Sequence, residues 1–137
     1  MIQYLAFELC KSNEQSRYIK LFSRNDSFYI KSAVGSNGAY LLDCINRYHC
    51  PNETARIISS VIDSLKIYSW PKTIPSDYIP SDRIIGCDTN TWSLDFKEPK
   101  KKYARHIFGK GAFPKEESYR FFMNIVARFV PDNEFRS

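Results

Sequence analysis

The chain has 137 residues, of which 43% are hydrophobic, 15% aromatic and 26% charged, and its formal net charge is +5 at pH 7. This composition is typical of one globular domain, 1–137, with enough aromatic side chains for a sizeable core. It predicts no membrane-spanning helix, because no apolar run approaches the roughly 20 residues that a bilayer requires.

The first 34 residues predict an antiparallel meander. Ile2 to Leu9 is mostly apolar, residues 17–22 alternate as a strand does, and Phe28 to Ile30 resumes the pattern after a polar turn at residues 24–26. An antiparallel meander can bury one face of its sheet and leave the other in water.

Residues 36–68 predict two helices. The first is capped by Ser36 or Asn37 and ends near Cys50, because Pro51 disfavours helical geometry in the residue before it. Its apolar positions, at helical spacing, are Leu41, Leu42, Ile45 and Tyr48.

The second of these helices is predicted from Glu53 to about Ile67. The side-chain oxygen of Asn52 is expected to cap its first turn by accepting a backbone hydrogen bond. Its apolar stripe comprises Ile57, Ile58, Val61, Ile62 and Leu65.

The rest of the chain predicts a loop, a hairpin and a last helix. Residues 69–82 contain three prolines, which lack a backbone donor, so this segment is expected to be an extended loop. Residues 83–109 form the hairpin, with a short strand at Ile84–Ile85, and residues 114–130 form the helix. The side chains expected to face the core are Trp92, Leu94 and Phe96 of the hairpin, and Tyr119, Phe122, Ile125, Val126 and Phe129 of the helix.

Together these elements predict an α+β fold. An antiparallel sheet, made of the N-terminal meander and the C-terminal hairpin, carries about three helices packed mainly on one face. The return strand of the hairpin, Tyr103 to Phe108, alternates in a way that leaves its buried face ambiguous.

The positive charge is concentrated in the hairpin. Residues 97–110 hold six basic residues against one acidic residue, whereas the other 14 basic and 14 acidic residues cancel. Such a cluster attracts phosphates, an acidic protein surface or anionic lipid, or else it is a solvated edge that resists strand addition. The candidate partner-binding residues are Lys97, Lys100, Lys101, Lys102, Tyr103, Arg105 and Lys110.

The cysteines and histidines form no recognisable catalytic or metal-binding set. Cys44, His49 and Cys50 lie close together, with Cys87 and His106 elsewhere, but they lack the paired spacing of a zinc site. Only the two histidines offer a base for a Ser or Cys nucleophile, and no nucleophile motif accompanies them. The sequence therefore predicts a non-enzymatic protein without a metal or cofactor.

The expected compartment is the cytoplasm. The four cysteines include no Cys-x-x-Cys pair, and Met1 leads directly into a strand-like segment without the basic and apolar regions of a secretion signal. Free thiols in a reducing environment are the simplest interpretation.

Two glycines mark the break between the hairpin and the last helix. Gly109-Lys110-Gly111 lacks the spaced glycines and the Lys-Ser/Thr ending of a phosphate-binding loop. These glycines are instead expected to allow a bulge or a positive-φ turn that redirects the chain.

The C-terminal third combines a turn, a Trp-x-Leu strand, a return strand, a Gly-x-Gly-x-aromatic-Pro segment and a helix. The residues that carry this pattern are Asp88, Trp92, Leu94, Gly109, Gly111, Phe113 and Pro114. In this pattern the chain resembles a loose group of small bacterial domains, largely uncharacterised, some of which resemble immunity proteins that neutralise a toxin made by the same cell. Thr89 stands where that group has a turn glycine, and Gly111 where it has asparagine. The resemblance implies no catalytic residues.

Three functions follow from these features. The leading hypothesis is a non-enzymatic bacterial immunity or inhibitor-type protein that binds one protein target, a toxin or a defence effector, and blocks it sterically; a phage-encoded inhibitor of host defence is a variant. The alternative is a nucleic-acid-binding accessory domain that uses the basic hairpin 97–110, with lysines along a phosphate backbone and Tyr103 stacked on a base. A structural subunit with a soluble edge is the third.

Overall fold

The computed structural model describes residues 2–10, 15–36, 45–77 and 91–129. Within them, a seven-stranded mixed sheet carries two helices, which confirms the predicted α+β class. A short 3-10 turn spans Ile67–Ser69. The strands are β1 (Tyr4–Cys10), β2 (Gln15–Arg24), β3 (Ser27–Ser36), β4 (Ile45–Cys50), β5 (Thr73–Ile74), β6 (Thr91–Lys97) and β7 (Arg105–Lys110), and the helices are α1 (Asn52–Leu65) and α2 (Glu116–Phe129).

The strands lie in the order β4-β3-β2-β1-β6-β7-β5 across the sheet. All neighbouring pairs are antiparallel except β5 and β7, where Thr73 pairs with Phe108 in a parallel bridge. The prediction of a purely antiparallel sheet is therefore wrong at this edge. β5 lies within the segment predicted as a proline-rich loop, and Pro75 follows it. Prolines are tolerated beside an edge strand because its outward amides need no partner in the sheet.

The first predicted helix is wrong where the structure describes it. Residues 45–50 form β4, which pairs with residues 28–33 of β3. Ile45 and Tyr48 fit a helical spacing, but the same stretch also fits a strand. Its pairing with β3 outweighs the local spacing. Leu41 and Leu42 lie outside the described residues, as do the predicted strand at residues 84–85 and the C-terminal tail.

The hairpin between β2 and β3 sets the register of the N-terminal strands. Asn25 and Asp26 have φ values of 52° and 62°, as a type I′ turn requires, and Arg24 pairs with Ser27. The polar turn predicted at residues 24–26 is therefore confirmed. Both strands run longer than predicted because the ladder continues to the pair formed by residues 15 and 36.

The alternation of side chains along each strand gives the sheet two different faces. Along β1, Leu5, Phe7 and Leu9 are buried, whereas the residues between them are only partly covered. Among the described residues, both helices pack on the buried face: Phe122 of α2 stacks on Phe7 at a centroid distance of 4.6 Å, and Ile62 of α1 joins the same core. We call the opposite side, which neither helix covers, the open face.

α1 differs from its prediction at both ends. Its N-cap is Pro51, without a side-chain cap, so the predicted capping by Asn52 is wrong. The helix ends where Lys66 takes a left-handed conformation with φ 55°. Ile57 and Val61 of the predicted stripe are exposed. The buried side chains are Ala55, Ile58, Ser59, Ile62 and Leu65.

α2 begins at Glu116, two residues after the predicted start at Pro114. The Ser118 hydroxyl accepts a hydrogen bond from the Lys115 amide at 3.3 Å and donates one to the Lys115 carbonyl at 2.6 Å, which fixes the first turn. Tyr119 of the predicted stripe is half exposed. Phe122, Ile125 and Val126 are buried as predicted. Neither described helix has the length and apolarity needed to cross a membrane.

The C-terminal hairpin is attached to the core through Trp92. Its indole Nε1 donates a hydrogen bond to the Ala112 carbonyl at 2.9 Å, and its ring stacks on Phe113 at a centroid distance of 4.5 Å and an interplanar angle of 5°. Gly109 lies directly opposite on β7, and a Cβ there would overlap the indole ring. Gly111 has a positive φ of 67°, so one of the two glycines forms the predicted turn and the other makes room for Trp92.

Gly109→Ala is expected to lower the free energy of unfolding by about 2 kcal/mol or more, because the new methyl group and the Trp92 ring require the same space. Urea unfolding measures this change. Gly111→Ala, which meets no neighbouring atom but adopts a positive φ, is the comparison and is expected to cost about 1 kcal/mol. In a Trp92→Leu background the Gly109→Ala penalty should shrink; an unchanged penalty would contradict this account.

The cysteines differ from their prediction at one position. Cys10 is disulfide-bonded, so the expectation of free thiols is wrong at this position. Cys50 is free and buried. Burial raises the pKa of the Cys50 thiol, and Arg128 opposes this with a smaller effect. The cytoplasmic location, which was inferred from free thiols, stays a prediction.

Alkylation is expected to separate Cys10 from Cys50. In the native protein without reductant, Cys50 should react at least about tenfold more slowly than a free thiol, because it is buried and less of it is thiolate. In denaturant Cys50 should react at once, whereas Cys10 should react only after reduction. Peptide mass spectrometry assigns the labels, and modification of Cys10 without reductant would contradict the disulfide.

Candidate partner-binding surface

The basic part of the hairpin is the connection between β6 and β7. This turn is closed by a hydrogen bond from the Lys101 amide to the Glu98 carbonyl at 3.1 Å. Lys100, Lys101 and Lys102 are exposed, and Tyr103 is 72% exposed, the highest value among the exposed large hydrophobic side chains of the described residues. We call residues 100–103 the turn surface.

The other predicted site residues lie elsewhere. Lys97 Nζ donates hydrogen bonds to Gln3 Oε1 at 2.9 Å and to the Glu98 carbonyl at 3.2 Å. The Arg105 guanidinium donates to the Trp70 carbonyl, and its Nε is buried without a partner among the described residues. Lys110 is exposed at the opposite end of β7. The structure thus brings four of the seven candidates together, and the role of all seven in partner binding stays a prediction.

Tyr68 contacts the turn surface through its hydroxyl group and its ring. Its hydroxyl donates to the Tyr103 carbonyl at 3.2 Å and accepts from the Glu98 amide at 3.3 Å, and its ring packs against Phe96 at 5.4 Å. Lys101 Nζ lies 4.9 Å from the centroid of the Tyr68 ring. The turn is therefore held by side-chain contacts as well as by its own backbone, which reduces the entropy lost when a partner binds.

An open concavity of about 870 Å³ adjoins the turn surface, between the end of α1 and the β6–β7 connection. Ile62, Ile67 and Phe96 contribute its apolar wall. Its charged residues are Asp63, Lys66, Glu98, Lys100 and Lys101. An apolar depression lined by three lysines and two carboxylates can accept an apolar side chain, with the lysines available to acidic groups beside it.

A smaller concavity of about 410 Å³ lies at the other end of the hairpin. Its walls include Leu9, Trp92, Phe113, Tyr119 and Met123. The Phe113 ring meets the Tyr119 ring edge-on at 5.6 Å. These contacts belong to the packing that joins α2 to the sheet, and we assign this concavity no ligand.

The open face carries a charged row that the sequence analysis missed. Lys20 pairs directly with Lys31, and Lys31 with Arg47, so three cations occupy neighbouring positions on β2, β3 and β4. The alternation of residues 17–22 and the predicted turn were signals for the pairing of β2 with β3. The third cation, Arg47, was missed because β4 had been predicted as a helix. We call these three residues the cationic row.

A row of rings lies beside the cationic row. Tyr4, Phe22, Tyr29 and His49 occupy mutually paired positions on β1 to β4, one outward-facing position further along. Phe22 and Tyr29 stack at 5.6 Å, and Tyr29 lies 5.1 Å from the His49 ring. Lys20 Nζ is 5.3 Å from the Tyr4 ring centroid and 5.6 Å from that of Phe22. We call this set the ring row.

Two tyrosines of the open face have perturbed acidity. Burial raises the pKa of Tyr4, with smaller effects from Asp95 and Tyr68. Burial also raises the pKa of Tyr18, followed by the charges of Asp95 and Glu8. Both phenols are therefore neutral at physiological pH and act as ring contacts rather than as anions.

The described residues contain no cluster of three His, Cys, Asp or Glu side chains that could hold a metal ion. His106 Nδ1 contacts Asp95 Oδ1 on the open face, but both side chains are about half exposed, so this pair stabilises the fold little. The absence of catalysis remains a prediction.

Comparison of the chain with protein-family models, with curated proteins and with solved structures finds no match. The resemblance to small bacterial immunity-like domains therefore stays an expectation from the C-terminal motif, and the geometry described above carries the functional argument.

Tyr68→Phe is expected to loosen the turn surface without unfolding the protein, because it removes the hydroxyl that joins the Glu98 amide to the Tyr103 carbonyl. The expected loss of stability is about 1 kcal/mol. Hydrogen exchange at the Glu98 amide should become several-fold faster. Tyr119→Phe, at a half-exposed position on α2, is the matched control, and equal acceleration in both variants would contradict the assigned role.

Proposed function

We propose that this chain is a non-enzymatic inhibitor of the immunity type, which binds one protein target and blocks it sterically. The observation that supports the proposal is the turn surface next to a concavity of about 870 Å³. Exposed lysines attract an acidic partner during approach, and a pocket beside them accepts a side chain from that partner on docking.

The geometry of the turn surface suits a rigid, preformed binding site on this chain. Tyr103 offers a large amphipathic ring with few rotatable bonds, and Tyr68 holds its backbone carbonyl from below. Aromatic anchors of this kind carry much of the free energy at protein interfaces, whereas exposed lysines chiefly raise the association rate. The target is therefore expected to present acidic side chains around an apolar contact. A toxin and a defence effector both fit this description.

The test uses the product of the reading frame adjacent to this gene as the first candidate target. Association of the two purified proteins is measured by biolayer interferometry, and the target's activity is measured with and without the inhibitor. Reversing the charges in Lys100→Glu/Lys101→Glu/Lys102→Glu is expected to slow association by about tenfold or more at low salt, with a smaller difference at high salt. Tyr103→Ala is expected to raise the dissociation rate instead.

A matched control changes three exposed cations on other surfaces, in Arg24→Glu/Arg56→Glu/Arg120→Glu. This variant has the same net charge as the turn variant and should associate at close to the wild-type rate. Equal slowing in both variants would show that only net charge matters. If Lys100→Ala/Lys101→Ala/Lys102→Ala changes nothing measurable, the turn is a solvated edge and the proposal fails.

Nucleic-acid binding through hairpin 97–110 is the second candidate. Tyr103 favours it, because a ring that is 72% exposed and lies 5.4 Å from Lys102 Nζ could stack on a base beside a phosphate. The Arg105 contact with Trp70 weakens it, because this guanidinium does not continue a track along the surface. The same lysine reversal distinguishes the candidates, since it should abolish polynucleotide retention only if the hairpin binds nucleic acid.

A further inference from the structure

We propose that the open face of the sheet binds single-stranded nucleic acid, with phosphates along the cationic row and bases beside the ring row. This site is separate from the turn surface and does not rest on the proposed inhibitor function. Among the described residues, neither helix covers it.

Charge is the first argument. Lys20, Lys31 and Arg47 are direct cross-strand neighbours, and like charges at such positions destabilise a sheet. Among the described residues, Lys31 and Arg47 have no acidic partner, and Lys20 lies over aromatic rings. A polyanion would relieve this repulsion, and the row of three strands spans roughly 10 Å, enough for successive phosphates.

The rings are the second argument. The ring row runs parallel to the cationic row at a distance of roughly 7 Å, two residues along each strand. Phe22, Tyr29 and His49 are already in contact, so their order costs little further entropy on binding. His49 is exposed on β4, which is an edge strand of the described sheet, so a base can extend the stack from its outer side.

The arrangement favours nucleic acid over an acidic protein surface. The centres of protein interfaces are depleted of charged residues, lysine among them, and the rim is polar. Here the cations run through the middle of the patch, with the ring row on one side and Tyr18 on the other. In the described part of the chain, the acidic residues of this face are Glu8 and Asp95, which lie on β1 and β6, away from the β3–β4 half.

The test measures fluorescence anisotropy of a labelled oligothymidine of about twelve nucleotides, at about 50 mM salt and above, with the full chain. Lys31→Thr/Arg47→Thr should weaken binding about tenfold and make the slope of log affinity against log salt shallower by about 1.4. Tyr29→Leu/His49→Leu should weaken binding about fivefold or more without changing that slope by as much.

The matched control removes two lysines from the turn surface, in Lys100→Thr/Lys101→Thr. It should change oligothymidine affinity by less than about threefold, because the turn lies several strands away from β3 and β4. A larger loss in this control than in the open-face variant would place nucleic acid on the hairpin and overturn the proposal. The open-face variant should unfold at the wild-type temperature or above, since it removes like-charge repulsion, and each single substitution provides a further folded variant.

Specificity for nucleic acid is tested by competition. Polyglutamate, matched to the oligonucleotide in charge, should displace it poorly, and a duplex of the same length should bind more weakly than the single strand. Equal displacement by polyglutamate, together with no effect of the ring variant, would show a general polyanion or acidic-protein surface and overturn the proposal. Wild-type protein that fails to bind at concentrations of about 100 μM at low salt would overturn it as well.

Discussion

The close approach of Trp92 to Gly109 holds the two halves of this structure together. The indole lies across β7 at the one place where no side chain intervenes, and its stacking on Phe113 fixes the segment that leads into α2. Phe113 and Trp92 in turn contact Phe7 of β1, which stacks on Phe122. Four aromatic side chains therefore meet where the hairpin, the last helix and the central strand join. The turn surface depends on this anchorage, because it is the far end of the same hairpin.

The parts of the fold that local rules determine were predicted from the sequence. The strand at residues 17–22, the polar turn after it and the Trp-x-Leu strand each depend mainly on neighbouring residues in the sequence. All three predictions are confirmed. β4 was mispredicted because Ile45 and Tyr48 fit a helical spacing, and only pairing with β3, which no local window contains, decides for a strand. The parallel bridge of β5 escaped prediction for the same reason, since two residues among prolines carry no pattern of their own.

The candidate surfaces likewise divide into features that neighbouring residues determine and features that depend on long-range contacts. The lysines of the turn were visible as a run of charge, and their exposure needs no long-range information. The separation of Arg105 from that run depends on Trp70, which lies 35 residues earlier, and could not be read from the hairpin alone. The cationic row required three separate strands in correct register. Lys20, Lys31 and Arg47 are well separated in sequence, and each is unremarkable in its own segment.

The strand order has a consequence for electrostatics across the molecule. Between β4 and β7 lie four other strands, which at about 4.8 Å per step puts the two strands roughly 24 Å apart. The Debye length at physiological salt is about 8 Å, so Arg47 on β4 is screened from the turn at the end of β7, whereas Lys20 on β2 lies only two steps, roughly 10 Å, from β6. An anion over β3 and β4 would therefore leave the field at the turn almost unchanged, whereas one that extends across β1 would approach the turn closely enough to compete with a second anion there.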